Sequence, residues 1–213
     1  MDFNDFLRLS SKIKNIKLPA EASQLKMVPA FREELIKRQG DAIKTAKKAG
    51  VLALFYPDGN HQTKFVLILR KTYEGVHSAQ IGFPGGKLEP QDMSLKQAAL
   101  RETFEEVGVS IHTIDVLKEL TPVYIPPSNF YVHAFIGFTP TTPLFKLQEA
   151  EVEALIEVGL QHFLDDKVVM TKRVNASYGV DIEVPVFQLN GHIVWGATAM
   201  ILSEIKDLLK ELI

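Results

Sequence analysis

Three glutamates, Glu102, Glu105 and Glu106, fall in the short run "LRETFEEVGV", with Arg101 directly ahead of them. On a helix advancing 100° per residue, their carboxylates lie within about a third of a turn. Like charges at such spacings repel by a few tenths of a kcal/mol in water, and by more when partly buried, so the cluster is unfavourable unless a cation compensates it. Arg101, four residues before Glu105, can take up that one and leave Glu102 and Glu106 as the freer pair. Hard oxygen ligands in a chain without cysteine suit Mg²⁺ or Mn²⁺ and not zinc. A Glu-rich helix face is also what a plain solvated face looks like. The stretch just before it, "IGFPGGKLEP", argues for chemistry. Gly85-Gly86 lets the backbone pass close to a ligand and aim its polar groups inward, and Pro84 fixes the approach, so loop and acidic helix together can enclose a metal-bound phosphate. A nucleotide-binding P-loop is excluded, because neither Ser nor Thr follows Lys87 and Ile81 stands at the place of the leading glycine.

The element that must carry these glutamates is well delimited. Ser94 with Gln97 makes a capping box and Gly108 suits the left-handed residue after a last turn, which predicts a helix over 95–107. Leu100, Phe104 and Val107 share its opposite face, while Leu95, Ala98 and Ala99 lie beside the glutamates, where the alanines admit close approach of another segment. Further helices are predicted over 2–15 and about 29–48, the second starting near Pro29 and stopping near Gly50. "GVLALFYP" and "KFVLILR", joined through Asp58-Gly59, read as paired strands. "LTPVYIP", "FYVHAFIGF", "EALIEVGL", "KVVMTKRV" and "DIEVPVFQL" add strand candidates, and "GATAMILSEIKDLLKELI" has helical spacing through Ala199, Ile201, Ile205, Leu208 and Leu212. The expected architecture is α/β: a mixed β-sheet sandwiched between α-helices, with an N-terminal helical arm over 1–48 packed on a domain over 49–213.

Composition narrows the remaining classes. At 213 residues, 46% hydrophobic and 23% charged, the chain can bury one core, and this balance excludes disordered and fibrous classes. Having no cysteine, it has no disulfide, thiol nucleophile or thiolate metal site and fits a reducing compartment. No apolar run approaches the roughly 20 residues of a membrane helix, so a cytoplasmic protein without a membrane partner is expected. Residues 1–50 hold eleven Lys and Arg against six Asp and Glu, a local excess of +5 that leaves −7 for the remainder. The basic residues are too dispersed, with too few aromatics among them, for a nucleic-acid footprint, and read as solvated helix faces.

The stretch "GGKLEPQDMSLKQAALRETFEEVGV" resembles the Nudix box, and "RETFEEVGV" fits its second half at every specified position. In the first half Asp92 stands where the pattern has Glu, and the interval to Arg101 is one residue longer. "LRKTYEGVHSAQIGFPGGKLEPQD" is further similar to the upstream signature of the coenzyme A pyrophosphatase branch through Arg70, His77, Gln80, Phe83, Pro84, Gly85 and Gly86, with Ala79 replacing a usual glycine. The likeness extends over about 50–205. The resemblance implies a Nudix fold and attack of water on one phosphorus of a diphosphate bridge, with Mg²⁺ or Mn²⁺ neutralising the developing charge. It implies Glu102, Glu105 and Glu106 as metal ligands and Glu102, or else Glu151, as the base, with Arg101 orienting Glu105. Arg70, His77, Gln80, Phe83, Gly85 and Gly86 are the implied substrate contacts, although Arg70 could equally end a strand in solvent and His77 cap a turn. Trp195 and Tyr124 read as core or pocket wall. On coenzyme A the products would be 3′,5′-ADP and 4′-phosphopantetheine. ADP-ribose, a nucleoside diphosphate sugar or a dinucleoside polyphosphate would fit the same chemistry, and a nucleotide-binding regulator would keep the fold without it. A monomer or homodimer is expected.

Overall fold

The computed structural model describes residues 1–71, 80–176 and 179–213; His77 therefore lies outside the described residues. The helices are α1 (Phe3–Asn15), α2 (Glu21–Gln24), α3 (Arg32–Gln39), α4 (Leu95–Val107), α5 (Leu160–Leu164) and α6 (Gly196–Leu212). The strands are β1 (Lys47–Pro57), β2 (Thr63–Arg70), β3 (Ile81–Gly82), β4 (Gly85–Lys87), β5 (Asp115–Glu119), β6 (Val123–Ile125), β7 (Phe130–Phe138), β8 (Val152–Gly159), β9 (Val169–Ala176), β10 (Gly179–Leu189) and β11 (His192–Val194).

Alternation along β1 and β2 builds two cores from one sheet. Leu52, Leu54 and Tyr56 of β1 with Val66 and Ile68 of β2 pack on Ala99 and Val107 of α4. Ala53, Phe55, Phe65 and Leu67 point the other way, onto Phe3 and Phe6 of α1 and Ile201 and Ile205 of α6. A strand covered on both faces is apolar at nearly every position, as these two are. The main sheet runs β3-β2-β1-β7-β5, with β4 also on β1, β6 on β7 and β8 on β2; β1 and β7 are parallel and the other pairings antiparallel. β9, β10 and β11 form a second antiparallel sheet. This is the mixed sheet between helices that the sequence predicts.

α1, β1, β2, α4 and α6 fall close to their expected bounds, and Asp58 closes the β1–β2 turn by accepting from Asn60 N and Gln62 N. The helix expected over 29–48 is shorter. α3 ends at Gln39, where Gly40 has φ +49, a 3-10 segment follows over Gly40–Thr45, and Lys47 already pairs with Phe130 in the sheet. No residue of α3 is buried, so nothing extends it against the pull of β-pairing. β5, absent from the sequence reading, carries alternating charge that hid a strand paired with β7.

Residues 23–27 are tied to α6 by polar groups, buried at Glu204 and Ser203 and exposed at Lys26. Glu204 is wholly buried; its Oε2 accepts from Gln24 Nε2 at 2.8 Å and its Oε1 from Thr121 Oγ1 at 2.7 Å and Thr121 N at 3.3 Å. Ser203 Oγ donates to Ser23 O at 2.7 Å, and Lys26 pairs with Asp207 at 2.6 Å.

Candidate active site

Gly50, read from sequence as a helix stop, lies inside β1 and decides how α4 sits. A Cβ there would stand 2.1 Å from Leu95 O and 3.0 Å from Ala99 N, so only a bare backbone lets the helix lie this close. The alanine side of α4 therefore faces the sheet: Ala98, Ala99, Thr103, Glu106 and Val107 are buried, and Phe104 is 52% exposed. Close packing of small residues outweighed the pull of one large apolar side chain. The glutamates on that side are drawn inward unequally: the side chain of Glu106 is 1% exposed, that of Glu102 14% and that of Glu105 51%.

The glycine turn is itself a strand, with Gly85 and Gly86 paired to Val51 and Gly50. At Gly85, φ is +147 and a Cβ would stand 2.4 Å from Gly50 O; at Gly86 a Cβ would stand 2.3 Å from the carboxylate carbon of Glu102. Bare backbone is what allows Glu102 to rest on β4 and Glu106 to reach it. Gly85 N donates to Glu106 Oε2 at 2.7 Å, Arg70 Nη1 lies 3.2 Å from Glu106 Oε1, and Arg70 Nη2 donates to Gly85 O at 2.7 Å. Glu106 Oε1 is buried with no hydrogen-bond partner among the described residues. Burial pushes the Glu106 carboxyl up to about 7; Arg70 and the Gly85 amide oppose this, and the charges of Glu102 and Glu151 add to it.

Arg101 is more fully engaged than its spacing from Glu105 suggests. It grips Asp92 through Nε at 3.1 Å and Nη2 at 3.0 Å, while its Nη1 lies 3.0 Å from both Glu102 Oε1 and Glu105 Oε2. Asp92, the departure from the box pattern, is thus the buried anchor of that arginine, and hydrogen bonding from Arg101 holds its carboxyl below the usual range. Burial raises the Glu102 carboxyl, Arg101 opposes it, and Glu105 and Glu151 add repulsion. Glu151, with its backbone carbonyl accepting from Lys71 N at 2.9 Å just beyond β2, is therefore an electrostatic neighbour of both inner glutamates.

Among the described residues no three acidic or imidazole groups stand close enough to hold a metal as they are placed, because Arg101 draws Glu105 outward and Arg70 covers Glu106. The donor chemistry nevertheless fits a hard divalent ion. Glu102 and Glu106 offer only oxygen, one buried oxygen lacks a donor among the described residues, and the carboxylates of Glu102, Glu106 and Glu151 repel one another. Beside them opens a cavity of about 340 Å³. Arg70, Gln80, Gly85, Gly86 and Lys87 form one part of its wall; Met27, Leu35, Pro126, Phe130 and Trp195 form a largely apolar remainder.

A model of the NUDIX domain matches residues 46–176, more than half of the chain. The chain belongs to the Nudix family. Nudix hydrolases cut diphosphate linkages in small-molecule nucleotides and generally use divalent metal ions, and this chain is a hydrolase of that kind. It is 28% identical over 183 residues to the peroxisomal coenzyme A diphosphatase ndx-8 of Caenorhabditis elegans, covering 85% of this chain and 74% of that one. It is 33% identical over 144 residues to the uncharacterized Nudix hydrolase NudL of Yersinia enterocolitica, covering 64% and 69%. In fold it is similar to a MutT/nudix family protein from Enterococcus faecalis (TM-score 0.52, 18% identity, 78% of this chain and 62% of that one) and to the Nudix hydrolase RenU from M. smegmatis (TM-score 0.52, 13% identity, 78% and 87%).

In this Nudix hydrolase, five of the six residues expected at the substrate, Arg70, Gln80, Phe83, Gly85 and Gly86, line one cavity; the sixth, His77, is outside the described residues. Phe83 is 3% exposed and serves the core as well. Tyr124 and Trp195 are in the wall, as read from sequence. Met27, Arg32, Leu35 and Thr198 were not foreseen there. Arg32 Nη2 donates to Tyr124 O at 2.8 Å, across ninety residues of sequence, and no local pattern signals such a contact. No helix among the described residues is long and apolar enough to cross a membrane.

Proposed function

We propose that this Nudix hydrolase cuts the diphosphate bridge of coenzyme A or a derivative, giving 3′,5′-ADP and (acyl-)4′-phosphopantetheine. The observation that carries the reading is the cavity. Its polar wall at Arg70, Gln80 and Gly85-Gly86 adjoins the carboxylates, and its apolar remainder suits the long, weakly polar pantetheine arm better than a second nucleotide. The likeness to a coenzyme A diphosphatase over 85% of the chain supports the same substrate.

In this reading Glu102, Glu105 and Glu106 hold Mg²⁺ or Mn²⁺, which when bound neutralises charge developing on the diphosphate oxygens. Glu102, whose carboxyl burial already raises, accepts the proton of the attacking water; Glu151 is the second candidate for that role. Water adds its oxygen to one phosphorus, the bridging P–O bond breaks, and the bridge oxygen leaves on the other phosphate. Arg101, anchored by Asp92, positions Glu102 and Glu105. Gly85 and Gly86 keep the backbone clear of the diphosphate, Arg70 and Gln80 contact it, Phe83 backs the wall, and His77 is a further substrate contact. The arm over 1–48 supplies the far wall through Met27 and Leu35. We further propose a cytoplasmic monomer or homodimer acting without nucleic-acid or membrane partners.

The test is a panel of coenzyme A, acyl-coenzyme A, ADP-ribose, a nucleoside diphosphate sugar and a dinucleoside polyphosphate, each with Mg²⁺ and with Mn²⁺. Coenzyme A or its thioesters should show the highest kcat/KM; a tenfold or greater preference for ADP-ribose would overturn the substrate assignment and leave the hydrolase.

A further inference from the structure

Arg70 stands at the boundary between the carboxylates and the cavity and touches both. Its guanidinium contacts Glu106 Oε1 at 3.2 Å and donates to Gly85 O at 2.7 Å, and its side chain, 27% exposed, forms part of the cavity wall. The contact with Glu106 is an ion pair without an aligned hydrogen bond, since Oε1 has no hydrogen-bond partner among the described residues. The second cation nearby, Arg101, is committed to Asp92, Glu102 and Glu105, and Lys71 pairs with Glu153 at 3.6 Å. Arg101 thus serves Glu102, whereas the cation acting on Glu106 is Arg70, which reaches Oε1 without an aligned hydrogen bond.

A guanidinium and a divalent ion on the same oxygen repel each other at close range, so binding of the ion there weakens the hold of Arg70. A divalent ion brings twice the charge, whereas a guanidinium has a planar fork suited to bidentate binding of phosphate. We propose that Arg70 is a displaceable counter-cation: in the metal-free protein it holds Glu106 and β4, and a divalent ion arriving at Glu106 releases it into the cavity, where it grips the substrate's diphosphate. This rests on reading Glu106 as a metal ligand. It makes binding ordered, metal before nucleotide, and by reciprocity bound nucleotide tightens the metal by the same factor.

Two measurements test this without turnover. In the wild-type protein, phenylglyoxal labelling of Arg70, followed by peptide mass spectrometry and normalised to Arg101, should become at least about threefold faster on adding Mn²⁺ alone, and ADP with Mn²⁺ should protect it. In Arg70→Gln at pH 8.5, Mn²⁺ binding read by electron paramagnetic resonance should be as tight as in wild type or tighter, while ADP binding in the presence of Mn²⁺ weakens at least tenfold. A clamp with only a structural role predicts the opposite sign, with weaker Mn²⁺ binding in the variant and Mn²⁺ leaving Arg70 labelling unchanged or slower. Either of those results overturns the proposal. Wild-type protein that binds no Mn²⁺ at all would overturn the metal assignment with it, whereas Mn²⁺ binding with unaltered Arg70 labelling would sink this inference alone.

Discussion

Two glutamates are almost equally buried in this protein, and their surroundings differ. Glu204 has hydrogen bonds on both oxygens, from the Gln24 amide and from the Thr121 hydroxyl and backbone. Among the described residues, Glu106 has one hydrogen bond, from Gly85, an off-axis ion pair with Arg70, and one oxygen with no hydrogen-bond partner. A buried carboxylate is tolerable when donors saturate it and costly when they do not. The saturated one joins the N-terminal arm to α6. The other, crowded by Glu102 and Glu151, keeps an unmet demand for positive charge, which is a property of a binding site and a burden on the fold.

The contrast is sharpest under substitution. Glu106→Gln should lower kcat on the order of a hundredfold or more, since several kcal/mol of charge stabilisation goes with the ligand, yet leave metal-free thermal stability equal or higher, because a buried charge is removed. Steady-state kinetics beside calorimetry in chelator checks both halves, and an unchanged kcat would remove Glu106 from the chemistry. Glu204→Ala should do the reverse. It takes one acceptor from Gln24 Nε2, which keeps Thr121 O, and the shared acceptor from Thr121 Oγ1 and N, and should cost about 3 kcal/mol in denaturant unfolding, with kcat within a few-fold of wild type and KM raised as residues 27–35 loosen over the cavity. A large fall in kcat with stability intact would show that the two glutamates had been told apart wrongly.

Acidity gives a third comparison. With its carboxyl raised from an ordinary 4.5 to about 7, Glu106 binds its proton more tightly in the folded state than in the unfolded one. Its contribution to stability is therefore complete below pH 4.5 and lost as pH rises through 7, about 3 kcal/mol at most. Metal-free protein should lose stability across that window, Glu106→Gln should flatten the loss, and Mn²⁺ at pH 8 should restore it. A stability that climbs with pH over the same range in chelator would contradict the burial argument.

What could be read from sequence follows the range of the interactions. α4 is bounded correctly because its caps are local: Ser94 accepts from Gln97 N and Gly108 is left-handed at φ +76. The box glutamates were legible for the same reason. That the alanine side of α4 admits another segment was legible too; which segment it admits was not, because that depends on Gly50, forty-five residues before Leu95, and a glycine in a sequence looks the same whether it ends a helix or admits one. Arg70 was visible as a candidate, but its hold on Glu106 joins the end of β2 to the last turn of α4, and only the folded sheet brings those together. The far cavity wall was illegible for a like reason, since Glu204 holds Gln24, near Met27, and Arg32, near Leu35, donates to Tyr124 O, and neither contact forms a local motif.

The smallest expected effect bears most directly on what separates the two glutamates. Thr121→Val removes one hydroxyl from Glu204 Oε1 and keeps the shape, leaving that oxygen only the backbone N–H at 3.3 Å. Glu204 then resembles Glu106 in lacking a good donor, at a cost of about 1 kcal/mol. If an unsatisfied buried oxygen were sufficient to attract a divalent ion, Mn²⁺ should restabilise this variant beyond its effect on wild type. It should not, because the nearby Asp207 is bound to Lys26 and Ser23, whereas Glu102 and Glu151 lean on Glu106. Thermal shifts with and without Mn²⁺ decide the point. Equal Mn²⁺ shifts in variant and wild type locate the demand for a cation in the clustering of carboxylates, and a larger shift in Thr121→Val would move it to the missing hydrogen bond.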